Sequence, residues 1–175
     1  MRRILALAAA LAAALALLLT GCGTHEAPAG ASGSDVIGTG KIADLDFTAT
    51  TVDGSPFEGS SLEGRPAVLW FWAPWCPTCL AQSVNVSDLA QKYDGEVAVV
   101  GVGGLDSTES IGELAAQIPY VTHLSDERGQ VWRHFRVTAQ STYTVIDADG
   151  EIISEGYLDD AELNDLVAEL AAEGS

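Results

Sequence analysis

At 175 residues the chain has the length of one domain with extensions, enough to bury a proper core once its ends are set aside. Its 25 acidic side chains against 8 basic ones give a formal charge of −17, which argues against nucleic acid or anionic headgroups as partners. What remains is a soluble domain facing neutral or basic partners.

The chain begins Met1-Arg2-Arg3, continues as an alanine and leucine run from Ile4 to Leu19, and reaches a small-residue junction at Leu19-Thr20-Gly21-Cys22. A charged start, an apolar run and a small-residue site make a secretory signal peptide over residues 1–21. The junction resembles the lipobox of bacterial lipoproteins, which implies that Cys22 is acylated and anchors the protein to the membrane. An uncleaved anchor and plain secretion stay open, and all three place the domain outside the cytoplasm. The paired arginines lack the rest of a twin-arginine pattern, which points to Sec export. Removing residues 1–21 takes away two basic side chains and no acidic one, leaving 154 residues at a formal −19. Residues 22–42, rich in Gly, Ala, Ser and Thr, read as a flexible tether in which His25 is solvated, and the domain proper spans 43–175.

Leu45 to Thr50 and Val52 to Phe57 alternate around an Asp53-Gly54 turn and predict a small hairpin. Ser60 to Gly64 predicts one helical turn, and Ala67 to Trp72 (AVLWFW) a buried strand. Ala81 to Tyr93 can be helical, so Cys76 falls at the helix's opening turn, where free N–H groups and the positive end of the dipole favour a thiolate. Pro77 suits the first helical position, and Cys79 follows one turn on, near enough to close a disulfide. Cys76 is therefore the attacking thiol and Cys79 the resolving one. A zinc site wants four ligands and the remaining cysteine, Cys22, lies far off; an inert bridge three residues long would constrain little. Both readings stay open beside redox chemistry.

Further along, Glu96 to Val102 reads as a buried parallel strand, and Asp106 to Glu109 as a capping box opening a helix that carries Ile111, Leu114, Ala115 and Ile118. Tyr120 to Leu124 predicts a strand and Glu127 to Phe135 a helix. Thr142 to Asp147 and Glu151 to Gly156 flank a turn at Asp149-Gly150, and Asp159 with Glu162 caps a last helix with a Leu163, Leu166, Val167, Leu170 stripe. Parallel strands followed by an antiparallel pair make a mixed α/β sheet with helices on both faces.

The segment F-W-A-P-W-C-P-T-C resembles the active site of the thioredoxin superfamily, and residues 43–172 resemble its extracytoplasmic TlpA/ResA/DsbE-like branch. The resemblance implies a thioredoxin-like fold in which D-F-T-A-T-T-V-D-G-S-P-F is an N-terminal hairpin extension. It also implies that a loop facing the cysteines, here Val137 to Tyr143, offers its backbone to substrate. Trp75 beside the nucleophile, together with Gln140, Ser141 and Thr142, is then the substrate-binding set.

Two positions depart from the family. Where it places a cis-proline this chain has Ser141, and a non-proline cis bond costs about 2.5–4 kcal/mol, so a trans Gln140–Ser141 bond is expected, with a hydroxyl approaching Cys76. Where the branch often carries an acid three positions after the second cysteine there is Gln82, which hydrogen-bonds but cannot take the proton of Cys79; the buried aspartate of thioredoxin aligns near Trp70. Trp70, Trp72 and Trp132 read as core or rim packing, and His134 as a surface side chain.

The function expected from these residues and this resemblance is a membrane-tethered, extracytoplasmic thiol–disulfide oxidoreductase acting on exported proteins, with no metal or organic cofactor. A membrane redox partner stays open, and a reductant role would require one as electron donor. The direction adopted is oxidant, since that role needs only the compartment. The alternatives are a reductant for apocytochrome c thiols and a copper-binding module using Cys76 and Cys79, with His123 an optional third ligand. A thiol peroxidase is disfavoured because the P-x-x-x-T-x-x-C pattern is absent around Cys76.

Overall fold

A computed structural model describes residues 39–174; Cys22 and most of the stretch read as signal peptide and tether lie outside the described residues. The strands are β1 (Lys41–Ile42), β2 (Thr48–Thr50), β3 (Pro56–Glu58), β4 (Ala67–Trp72), β5 (Ala98–Gly104), β6 (Thr122–Asp126), β7 (Thr142–Ile146) and β8 (Glu151–Gly156). The helices are α1 (Pro77–Lys92), α2 (Thr108–Ala115), α3 (Gln130–His134) and α4 (Asp160–Glu173). Six strands form one sheet in the order β1-β8-β7-β4-β5-β6, with β4, β5 and β6 parallel and β7, β8 and β1 antiparallel. This is a thioredoxin-like mixed sheet. The hairpin β2–β3 stands apart, joined to β6 by a bridge from Thr51 to Leu124.

β4 is central because every residue of AVLWFW is buried, none more than 1% exposed. Such a strand needs cover on both faces. Val68, Trp70 and Trp72 meet α1 (Val86, Leu89, Ala90) and α4 (Leu163, Val167, Leu170), while Leu69 and Phe71 meet Val131 and Trp132 of α3 and Leu45 and Phe47 before the hairpin. Each large apolar side chain taken fully out of water contributes roughly 1.5–3 kcal/mol.

The neighbouring strand β5 reads AVVGVGG, and its glycines make room for tryptophans. A Cβ on Gly103 would lie 2.6 Å from Ile111 Cγ2 and 2.9 Å from the Trp72 ring, and one on Gly104 would lie 2.7 Å from Trp132 Nε1. The glycines therefore answer to packing rather than to any turn.

Several boundaries differ from the sequence reading. Lys41 and Ile42, counted with the tether, pair with Ile152 and Glu151, and Lys41 forms an ion pair with Glu155. The edge of β8 offers free backbone groups and the chain takes them up. The strand expected at Tyr120 starts at Thr122, because Tyr120 adopts φ 67°. Helix α3 opens only at Gln130, after Gly129 at φ 64°, where the Asp126 carboxylate accepts the N–H groups of Gln130 (2.6 Å) and Trp132 (2.9 Å). At α2 the cap is Ser107, accepting from Ser110 N–H, whereas Asp106 takes the Ser107 N–H instead of completing a box. The box at Asp159 and Glu162 forms as expected. His134, read as a surface group, is half-buried: its Nε2 donates to the Asp44 carbonyl at 2.6 Å, and its ring lies 5.4 Å from Phe47 and 5.1 Å from Phe135.

Gly103→Ala should destabilise the fold by about 1–3 kcal/mol through overpacking between Trp72 and Ile111, read as a lower urea midpoint at constant slope. An unchanged midpoint would contradict the packing role given to this glycine.

Candidate active site

The chain leaves β4 at Trp72 and turns through Ala73-Pro74-Trp75 into α1, so that the sheet's buried centre delivers one sulfur to the helix mouth. Cys76 is the N-cap of α1, with extended backbone (φ −89°, ψ 111°), and its Sγ accepts the backbone N–H of Cys79 at 3.1 Å. Pro77 occupies the opening helical position as expected. Cys76 and Cys79 are joined by a disulfide, their Cα atoms 5.3 Å apart. Both cysteines are buried, Cys76 at 4% exposure and Cys79 at 0%.

Ser141 faces the pair from the loop before β7. Its Oγ lies 3.0 Å from Cys76 Sγ and 3.1 Å from Cys79 Sγ. The Gln140–Ser141 bond is trans, as expected, and Ser141 adopts the left-handed conformation with φ 65°. Two bonds hold it there: its N–H donates to the Phe71 carbonyl at 2.9 Å, and its own carbonyl accepts from Gln82 Nε2 at 3.3 Å. Gln82 Oε1 in turn accepts the indole N–H of Trp70 at 3.0 Å. The two positions that the sequence reading singled out as lacking an acid are thus hydrogen-bonded to one another, and Gln82 to Ser141. Their separation of 12 residues carries no periodic signal that would have announced it.

The remaining candidates are placed unevenly. Trp75 is 54% exposed and donates its indole N–H to the Leu105 carbonyl at 3.1 Å, with Leu105 itself at φ 59°. Leu105, missed in the sequence, is the residue that anchors this ring. Gln140 and Thr142 are half-buried, and Thr142 Oγ1 donates to the Ala139 carbonyl at 2.9 Å. Trp70, Trp72 and Trp132 are core, as expected.

The copper alternative loses His123 as a third ligand. His123 is 5% exposed, its Nε2 donates to the Ile118 carbonyl at 3.2 Å, and its ring packs edge-on against Trp72. Among the described residues no group of three His, Cys, Asp or Glu side chains could hold a metal ion. Burial lowers the His123 pKa from 6.5 to about 4, outweighing the bond to Ile118 that raises it. Burial likewise raises the pKa of the Asp126 carboxyl and of the Tyr143 phenol.

A family model described as Redoxin matches residues 34–170. The soluble secreted antigen MPT53 of Mycobacterium tuberculosis is 38% identical over 110 residues, covering 61% of this chain and 61% of its own length. The thiol-disulfide oxidoreductase ResA of Oceanobacillus iheyensis is 29% identical over 127 residues, 62% of this chain and 64% of that protein. The chain thus spans less than two thirds of the length of these relatives. Among solved structures, MTB DsbF in mixed oxidized and reduced forms matches with TM-score 0.67 and 43% identity, over 72% of this chain and 96% of that one. A secreted Mycobacterium tuberculosis disulfide oxidoreductase homologous to Escherichia coli DsbE matches with TM-score 0.65 and 34% identity, over 72% and 97%.

A histidine kept neutral by folding makes stability depend on pH. The unfolded chain binds this proton below about 6.5 and the folded one only below about 4, so the contribution is present at neutral pH and is lost as pH falls through that window. The urea stability of the wild type relative to His123→Gln should fall between pH 7 and pH 4 by up to about 3 kcal/mol. Parallel pH profiles would contradict the buried, neutral assignment.

Proposed function

The chain belongs to the Redoxin family, and from that premise we propose that it is a thiol–disulfide oxidoreductase that transfers its Cys76–Cys79 disulfide to exported proteins. The observation carrying this reading is the asymmetry of the pair. Cys76 caps the helix mouth and keeps the little exposure the pair has, 4% against 0% for Cys79 one turn inside the helix, so an incoming thiolate approaches Cys76. In the oxidising direction a client thiolate attacks Cys76 Sγ, the disulfide breaks, and its electron pair leaves on Cys79. A second client thiolate then attacks the client sulfur of the mixed disulfide and releases Cys76 as a thiolate. The client ends with a disulfide and the pair with two electrons more. Run backwards, Cys76 attacks a client disulfide and Cys79 resolves the adduct.

The oxidant direction is supported by what surrounds Cys76 Sγ. A backbone N–H and a hydroxyl both reach it at the positive end of α1, and each favours the thiolate. A couple whose reduced form is stabilised is a stronger oxidant.

Client binding falls to Trp75, Gln140, Ser141 and Thr142. Ser141 spends both of its backbone groups internally, on Phe71 and Gln82, so strand-like pairing with a client falls chiefly to Gln140, whose backbone N–H and C=O have no partner among the described residues. Trp75 supplies exposed aromatic surface beside the nucleophile. Operation outside the cytoplasm is supported by the leader-like start and by relatives described as secreted. Cys22 then tethers the domain through a lipid, and a membrane redox partner reoxidises it.

A Cys79→Ser variant should retain exported proteins as covalent adducts on Cys76 that dithiothreitol releases, because nothing remains inside the protein to resolve them. The Cys76→Ser, Cys79→Ser double variant should retain none. Absence of adducts on the single variant would contradict the reading.

A further inference from the structure

Resting on the oxidoreductase reading above, we propose that Ser141 is a catalytic residue whose hydroxyl donates the hydrogen bond that holds Cys76 as a thiolate when the pair is reduced. Ser141 Oγ is the one side-chain oxygen or nitrogen hydrogen-bonded to either sulfur among the described residues, at 3.0 Å from Cys76 and 3.1 Å from Cys79. A disulfide sulfur is a weak acceptor and a thiolate a charged, strong one, so the same contact gains strength on reduction. The bond therefore acts differentially on the two redox states, which is the condition for shifting an equilibrium between them.

The hydroxyl is also held in place before it is needed. Ser141 is 8% exposed, its N–H is fixed to Phe71, its carbonyl to Gln82, and Gln82 to the core through Trp70. Its φ of 65° is a conformation that glycine would adopt without strain, so the backbone there gives no reason for a side chain. What serine adds is the oxygen between the sulfurs. The charged groups around the site do not replace it. Asp159 and Asp160 of the α4 start share with Tyr157 and Gln82 a cavity of about 370 Å³, and Asp106 follows β5, but none of them hydrogen-bonds a sulfur. Glutathione reduction balances accordingly. The disulfide and two glutathione thiols give the Cys76 thiolate, the Cys79 thiol, oxidised glutathione and one proton released to solvent. Ser141 keeps its proton and shares it with Cys76.

The test compares wild type with Ser141→Gly and Ser141→Ala, each equilibrated against reduced and oxidised glutathione and each titrated by thiolate absorbance, with circular dichroism confirming the fold. Both variants lose the hydroxyl, while glycine relieves the left-handed backbone and alanine keeps it. In both the equilibrium should move about tenfold toward the disulfide, a fall of ~30 mV for a two-electron couple. The Cys76 pKa should rise by about one unit in both. Wild-type values in both variants overturn the proposal, and a shift confined to Ser141→Ala assigns the effect to the backbone and overturns it too. A wild type that does not exchange with glutathione at all removes the oxidoreductase reading and this one with it.

Discussion

One sulfur stands at the start of a helix, and the chain on either side of it serves to keep it there. Cys76 Sγ accepts the Cys79 N–H, one of the amides that the opening turn of α1 leaves without a helical acceptor. The short hydrogen-bonding reach of that amide requires the sulfur to arrive from outside the helix, on extended backbone, which β4 supplies by ending at Trp72. β4 in turn can end there because it is the buried centre of the sheet, held by β5 on one side and β7 on the other. Loss of cover on either face would release the strand and with it the position of the sulfur.

The same strand fixes the opposite wall of the site. Phe71 carbonyl takes the Ser141 N–H, and Trp70 reaches Ser141 through Gln82, so successive residues of β4 hold one serine from two directions. Neither Gln82 nor Trp70 ionises, and the arrangement is neutral throughout. On the proposed reading, thiolate stabilisation rests on dipoles and hydrogen bonds rather than on a counter-charge, which fits a chain with few cations to spend near its active site.

Most of the fold was legible because its signals are local. The apolar run of β4, the Cys-Pro start of α1, the Asp-Gly turns and the Asp159–Glu162 box are each set by neighbours within a few residues, and the structure has them all. What the sequence obscured depends on distant partners. Lys41 and Ile42 look like linker until β8, more than a hundred positions later, offers an open edge. His134 looks exposed among arginines until Phe47 and Asp44 fold over it, and His123 looks available to the cysteines until Ile118 and Trp72 enclose it. At the site, spacing announced the cysteines and the family resemblance the departure at Ser141, whereas the chain of bonds from Trp70 to the sulfurs needed the folded sheet.

The central claim is that folding stabilises the reduced pair through Cys76, making the couple an oxidant. Its most direct test is the reduction potential of the full chain at pH 7 in glutathione buffers. The account predicts a value of about −120 to −180 mV. A value near about −270 mV would mean that the helix mouth and the serine do not favour the thiolate enough to oxidise clients, and would contradict it.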